Sequence, residues 1–165
     1  MERLVVYDSV FGNTEKVALA IAGALGPKDG VAALKVGDVK PQHLEGVKLL
    51  VVGSPTRAFR PTPATTKLVG SFAPQGLQGV GVAAFDTRIS TADTSSRFLS
   101  FMVKLFGYAA EPIAGKLQKK GGKLVAPPEG FLVAGTEGPL KDGELERAAQ
   151  WAAELAQELG RRLAK

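Results

Sequence analysis

The chain has 165 residues, of which 45% are apolar and 22% charged, and its formal net charge is +5. It contains no cysteine and one histidine, His43, which excludes disulfides, iron–sulfur clusters, thiol nucleophiles and multi-histidine zinc sites. Any redox chemistry must therefore come from an organic cofactor.

The length and composition predict one globular domain covering residues 1–165. The apolar runs have the length of strands, so no membrane span is expected. The start, Met1-Glu2-Arg3-Leu4, lacks the basic segment of a secretory signal, and we expect a cytoplasmic location. The densest basic cluster surrounds Gly121-Gly122, where a helix end explains it, so nucleic acid is not an expected partner.

Strand-length apolar segments alternate with helix-length segments along the chain. Strands are predicted at residues 3–7, 31–36, 49–52, 80–85 and 124–133. Helices are predicted at about 14–25, 63–72, 95–106 and 143–163. The first, third and fourth strands are continuous apolar runs, which indicates a parallel sheet covered on both faces. The pattern predicts a doubly wound α/β fold with right-handed crossovers.

Three local features qualify these elements. Pro127 and Pro128 cannot donate to a ladder, so the fifth strand is expected at an edge or broken there. Asp142 is predicted to be the N-cap of the last helix.

The helix at 95–106 is apolar almost all round. Its stripe of Phe98, Phe101, Met102 and Leu105 is predicted to face the sheet. The remaining Leu99, Val103 and Phe106 are expected either beneath the following segment or in a subunit contact, which leaves monomer and dimer open.

The loop after the first strand reads Ser9-Val10-Phe11-Gly12-Asn13-Thr14 and leads into a helix. Its backbone N–H groups, its hydroxyls and the helix N-terminus suit an anion, which points to a phosphate-bearing cofactor. The lysine of a P-loop and the three glycines of a dinucleotide fold are absent. The third strand ends in Gly53-Ser54-Pro55 and lacks the acceptor aspartate of a response-regulator receiver.

This loop resembles the flavodoxin signature Ser/Thr-x-Thr-Gly-x-Thr, with Phe11 in place of the middle threonine. Residues 51–56 (VVGSPT) and 83–88 (AAFDTR) resemble the third and fourth strands of that family running into its two flavin loops. The resemblance covers essentially the whole chain. It implies a five-stranded parallel sheet of order 2-1-3-4-5, with FMN bound where the strands end.

The resemblance also implies the residues that bind FMN, and it implies no catalytic side chain and no metal. Ser9, Asn13, Thr14 and the loop backbone would hold the phosphate. The full set of implied cofactor-binding residues is Ser9, Val10, Phe11, Gly12, Asn13, Thr14, Pro55, Thr56, Arg57, Ala58, Phe59, Phe85, Asp86, Thr87 and Arg88.

Several of these residues have two interpretations at this stage. Phe59 either stacks on the flavin or caps the core. Asp86 either contacts the flavin or is an exposed carboxylate capping its own loop. Arg57 and Arg88 either stabilise the anionic reduced flavin, which would make the reduction potential less negative than in typical flavodoxins, or face solvent or a partner.

The implied function is electron transfer between redox protein partners, a reductase and an acceptor. The positive net charge is compatible with acidic partners. Two alternatives remain open on the sequence alone. One is an FMN-dependent NAD(P)H:quinone-type oxidoreductase of the same fold. The other is a flavin-free binding module, prompted by Phe11.

Overall fold

In residues 1–91 and 96–164, which the computed structural model describes, six parallel strands form one sheet with helices on both faces. The strands are β1 (Arg3–Tyr7), β2 (Val31–Lys35), β3 (Leu49–Pro55), β4 (Gly81–Ile89), β5 (Lys123–Leu124) and β6 (Glu129–Val133). The helices are α1 (Asn13–Leu25), α2 (Pro63–Ser71), α3 (Arg97–Phe106), α4 (Ala110–Lys119) and α5 (Glu144–Leu163). None of these helices is both long enough and apolar enough to cross a membrane.

The strand order is β2-β1-β3-β4-β5, which confirms the predicted order 2-1-3-4-5. The predicted fifth strand is broken in two around Pro127 and Pro128. Its first part, β5, pairs with the start of β4, and its second part, β6, pairs with the end of β4. The strand that carries one of the predicted flavin loops is therefore flanked on both sides over residues 85–87, and β6 alone pairs with its last two residues.

Two apolar cores lie on opposite faces of the sheet because successive strand residues point in opposite directions. Val5 packs into the core under α1 and α5, whereas Leu4 and Val6 pack into the core under α2 and α4. All three side chains are fully buried. Burial on both faces explains why β1, β3 and β4 read as continuous apolar runs.

Phe85 belongs to the first of these cores. A Cβ added to Gly53 on the neighbouring strand would lie 2.0 Å from Cζ of Phe85, so the ring covers that glycine. The ring also meets Phe131 and Trp151 edge-on, with centroid separations of 6.0 and 6.3 Å. Phe85 therefore shapes the sheet beside the site from within the core.

The predicted orientation of the third helix is wrong. Phe98, Phe101 and Leu105, which were expected to face the sheet, are exposed. The reason is the next helix, α4, whose start was not predicted and whose Ile113 and Leu117 fill the sheet face between β4 and β5. With that face occupied, α3 has no sheet to cover. Ser95 and the side chain of Phe106, which entered the same prediction, lie outside the described residues.

The last helix begins differently from the prediction. Its N-cap is Gly143 rather than Asp142, and the glycine has a left-handed φ of 82°. An L side chain adopts that conformation only at a cost, so a glycine suits the turn that leads into α5. Glu144 then contacts β6, where its Oε2 accepts the N–H of Leu132 at 2.6 Å.

The outer edge of β6 is closed by such local contacts. At Leu132 the N–H donates to Glu144, and the carbonyl accepts the N–H of Lys141 at 2.9 Å. At Gly130 the N–H donates to Oε1 of Glu129 at 2.9 Å, and the carbonyl accepts a hydrogen bond from Arg147. The backbone groups that β6 turns away from β4 at these two residues are thus all bonded.

Candidate functional site

A cavity of about 370 Å³ lies at the carboxyl ends of β1, β3 and β4. This is the edge at which open α/β sheets bind ligands, and the volume is within the usual range for small-molecule sites. Its lining residues are Val10, Phe11, Asn13, Thr14, Pro55, Thr56, Arg57, Ala58, Phe59, Thr87, Arg88, Ile89, Thr91, Leu99, Val103, Tyr108, Val133 and Thr136.

The β1–α1 loop, residues 8–12, forms a small cradle of backbone N–H groups. The N–H groups of Gly12 and Glu15 both donate to Oγ of Ser9, at 3.1 and 3.3 Å. Gly12 permits this with a left-handed φ of 86°, and nothing lies within 4 Å of the position of a Cβ. Two N–H groups at a helix N-terminus thus converge on one oxygen, which is the arrangement that suits an anion.

Two polar side chains that follow this cradle form hydrogen bonds within the protein. Oγ1 of Thr14 lies 2.8 Å from Oγ1 of Thr87 in a buried contact. The amide nitrogen of Asn13 donates to the carbonyl of Glu137 at 3.0 Å. These contacts tie the start of α1 to β4 and to the loop after β6.

The β3–α2 loop, residues 56–62, forms the opposite wall. Arg57 and Arg60 exchange backbone hydrogen bonds of 2.9 Å, and between them Ala58 and Phe59 have left-handed φ values of 45° and 65°. Such values are uncommon for residues other than glycine and mark a tight turn. The half-buried Phe59 lines the cavity, and the Arg57 guanidinium lies 6.0 Å from the ring centroid of Phe11.

The same loop is fixed at its base. Thr56 donates its N–H to the carbonyl of Thr87 at 3.0 Å, and its hydroxyl accepts the N–H of Ala109 at 2.9 Å. Ser54 accepts the N–H of Thr62 on its hydroxyl at 3.0 Å. Strand β3, the end of β4 and the segment before α4 are therefore joined around one side of the cavity.

A buried ion pair lies at the end of β4. Asp86 is fully buried, and its two oxygens accept Nε and Nη2 of Arg88 at 2.6 and 2.7 Å. Asp86 also accepts the N–H of Ala110 at 2.8 Å. Burial raises the pKa of Asp86, while the hydrogen bonds from Arg88 and Ala110 oppose that rise. Arg88 lies over the Tyr108 ring, with Cζ 3.8 Å from the centroid.

This geometry corrects one of the two interpretations of Asp86. The residue is not an exposed loop carboxylate, because β4 continues to Ile89 and keeps the side chain under Arg88. Arg88 itself is mostly covered and lines the cavity with its charge paired.

Most of the residues that the sequence predicted as cofactor-binding line the cavity. The exceptions are Ser9 and Gly12, which form the adjacent cradle, and Phe85 and Asp86, which lie behind the wall. Their roles toward a cofactor remain predictions.

The cavity also has lining residues that sequence reasoning missed: Ile89, Thr91, Leu99, Val103, Tyr108, Val133 and Thr136. Leu99 and Val103 carried a usable signal, because a spacing of four places them on one helix face. Tyr108 carried another, since it follows Gly107, which caps α3 with a left-handed φ of 71°.

The sheet order and the position of the cavity place the chain among the α/β proteins that bind nucleotides or flavins at the carboxyl ends of parallel strands. The flavodoxin sequence profile matches residues 5–151. The chain therefore belongs to the flavodoxin family, and it is a flavin-dependent electron-transfer protein that acts on redox partners. No curated protein matches the sequence significantly.

Solved structures agree with this assignment. A flavodoxin from the domain Archaea matches with a TM-score of 0.74 and 25% identity, covering 97% of this chain and 99% of that one. Flavodoxin 1 from Bacillus cereus matches with a TM-score of 0.73 and 19% identity, covering 95% and 98%. Rubredoxin oxygen:oxidoreductase from Desulfovibrio gigas has a TM-score of 0.70 and 20% identity, and 99% of this chain covers 37% of that enzyme.

Proposed function

We propose that the flavin is FMN and that the protein carries electrons between acidic redox proteins in the cytoplasm. The observation that supports FMN is the convergence of the Gly12 and Glu15 N–H groups on Ser9 Oγ beside the cavity. A phosphate supplies oxygens of the same kind with more negative charge, and the N-terminus of α1 favours that charge.

The polar contacts divide the roles among the predicted residues. We assign the phosphate to Ser9, Asn13, Thr14 and the backbone of the β1–α1 loop, because these groups lie together at the N-terminus of α1 beside the cavity. We assign the ring to the cavity between the β3–α2 loop and α3, where Phe59, Leu99 and Tyr108 exclude water. When bound, FMN supplies the redox chemistry, and the side chains bind and orient it.

The experiment is a titration with FMN and with riboflavin, which lacks the phosphate. Bound flavin is followed by visible absorbance and by the quenching of flavin fluorescence. FMN is expected to bind at least about tenfold more tightly, because charge-assisted hydrogen bonds contribute about 1.5 to 3 kcal/mol each. Equal affinity for the two flavins, or binding of neither, would contradict the proposal.

Two matched glycine variants test the cradle. Gly12 and Gly79 both have a left-handed φ, 86° and 83°, with nothing within 4 Å of an added Cβ. Gly12→Ala is expected to weaken FMN binding, because the strain distorts the cradle. Gly79→Ala carries a similar strain near the start of β4, away from the cavity, and is expected to leave FMN affinity unchanged.

The reduction potential is a separate part of the proposal. Asp86 matches the charge of Arg88, so we assign the predicted rise in potential to the exposed Arg57 alone. Arg57→Gln is expected to make the reduction potential for forming the anionic reduced flavin more negative, because it removes a nearby cation that stabilises that anion. A reductive titration of both loaded proteins measures the difference, and identical potentials would exclude Arg57 as the cause.

A further inference from the structure

Helix α3 exposes a ridge of large apolar side chains. Phe98, Phe101 and Leu105 are 72%, 59% and 61% exposed, and they follow one another at spacings of three and four residues. Side chains at these spacings are neighbours on one helix face. We call these three residues the α3 stripe. A contiguous apolar patch of this kind marks an interaction site more often than scattered apolar residues do.

The α3 stripe lies beside the cavity mouth. Leu99 and Val103 line the cavity from the same helix, so the stripe and the cavity wall are adjacent faces of α3. A protein that covers the stripe is therefore placed next to the proposed position of the flavin.

The charged side chains of α3 itself are all basic. Arg97 and Lys104 are exposed and lie four residues before and three residues after Phe101, and residues 97–106 contain no acidic residue. Arg57 and Arg60 are exposed on the loop across the cavity. Among the described residues, Glu111 is an acid near the carboxyl end of α3, with Oε2 4.0 Å from a Cβ added to Gly107.

We propose that the α3 stripe, flanked by Arg97 and Lys104, is the docking surface for an acidic redox protein. The proposal rests on the proposed function, because docking there matters only if the cavity holds the flavin. The partner's carboxylates face the two cations, and an apolar patch of the partner covers the stripe. Such an interface has an apolar centre with a charged rim that steers association.

Two other occupants fit the charges less well. A second copy of the chain brings the same cations to the same place, and each copy has a net charge of +5. A membrane surface is usually bound by a helix with a basic polar face. Within the ten residues of α3 there are only two cations.

The test measures association with an acidic plant-type ferredoxin, using the FMN-loaded protein at low and at physiological ionic strength. Binding is followed by sedimentation velocity. Electron transfer is followed by the loss of visible flavin absorbance, as the ferrous iron of the reduced ferredoxin is oxidised and one electron reduces the flavoprotein. Basic cytochrome c is the probe of opposite charge and is expected to bind weakly.

Two variants separate the contribution of charge from that of apolar contact. Arg97→Glu with Lys104→Glu is expected to weaken ferredoxin binding at least about tenfold at low salt. Phe98→Ser with Phe101→Ser and Leu105→Ser is expected to weaken it by a similar factor with little change in its salt dependence.

The control pair is Lys119→Glu with Lys123→Glu, which also changes the net charge from +5 to +1 because each substitution subtracts two. These lysines lie at the amino end of β4, where Lys123 pairs with Gly81. The control is expected to change binding less than about twofold.

Each outcome has a defined meaning. Ferredoxin binding that is equal in all variants overturns the proposal. So does a stripe-dependent dimer in sedimentation, or stripe-dependent binding to phosphatidylserine vesicles. Failure of the parent protein to take up FMN instead refutes the proposed function. The α3 variants leave Leu99 and Val103 intact, so they are expected to bind FMN as the parent does.

Discussion

Asp86 receives hydrogen bonds from two nitrogens of Arg88 and from the N–H of Ala110, although water does not reach it. A carboxylate in this position holds the cavity wall to the first turn of α4. Its burial is costly, and the pairing with Arg88 offsets that cost only while both partners are present.

Removing the cation alone is therefore expected to be severe. Arg88→Met leaves a buried carboxylate without its partner and is expected to cost about 3 to 5 kcal/mol of stability at neutral pH. In the variant the folded-state pKa of Asp86 lies further above the ordinary value of 3.8, because burial then acts with little opposition. Between the ordinary pKa of 3.8 and the raised folded-state pKa, the folded variant binds a proton at Asp86 that the unfolded chain lacks. The free energy of unfolding of the variant therefore falls as pH rises through that range.

Urea unfolding at mildly acidic and at neutral pH measures this effect. The difference in the free energy of unfolding between Arg88→Met and the parent is expected to become smaller on acidification. A double variant, Asp86→Asn with Arg88→Met, is the control. Its free energy of unfolding is expected to differ less from that of the parent, and the difference is expected to be nearly independent of pH. An equal loss at both pH values for the single variant would show that the charge of Asp86 is not the cause.

The link between β6 and α5 operates at the scale of elements. Glu144 joins the two by accepting the N–H of Leu132 and by pairing with Arg147, whose Nη2 lies 2.7 Å from its Oε2. Burial by itself would raise the pKa of Glu144, but the hydrogen bonds from Arg147 and Leu132 together hold the pKa below its ordinary value of 4.5. The ionised form is thus the one that stabilises the fold.

Glu144→Gln is expected to lower the free energy of unfolding by about 1.5 to 3 kcal/mol at neutral pH. The parent has this contribution in full above pH 4.5, the ordinary pKa, and loses it as pH falls through the lowered folded-state pKa. Denaturant unfolding as a function of pH measures both effects. Glu146→Gln, an exposed acid in the same helical turn, is the control and is expected to change stability by less than about 0.5 kcal/mol.

At the scale of the whole molecule, membership of the flavodoxin family favours an electron carrier over the two alternatives that the sequence left open. Phe11 prompted the idea of a flavin-free module because it replaces a hydroxyl. In the structure, the two N–H groups that define the cradle are those of Gly12 and Glu15, so the substitution at Phe11 leaves them in place.

Backbone rules alone predicted the parallel sheet and the edge at which a ligand binds, whereas the strand order was predicted from the resemblance to flavodoxins. Parallel strands buried on two faces are continuous apolar runs, and loops after their carboxyl ends share one edge. The exposed face of α3 was not predictable in this way, since it depends on which helix covers the sheet. The Asp86–Arg88 pair was missed for a different reason. Residues two apart share a face only if the strand continues, and the predicted strand ended at residue 85.

The closed edge of β6 has a consequence for how the protein behaves at high concentration. An edge strand with free N–H and C=O groups is a template on which another chain can add a strand and begin to aggregate. Here the outward groups of Gly130 and Leu132 are already bonded, and Pro127 and Pro128 interrupt the edge before them. At this edge of the sheet, Glu144, Arg147 and Lys141 thus prevent the addition of a further strand, and Glu144 and Arg147 also join β6 to the last helix.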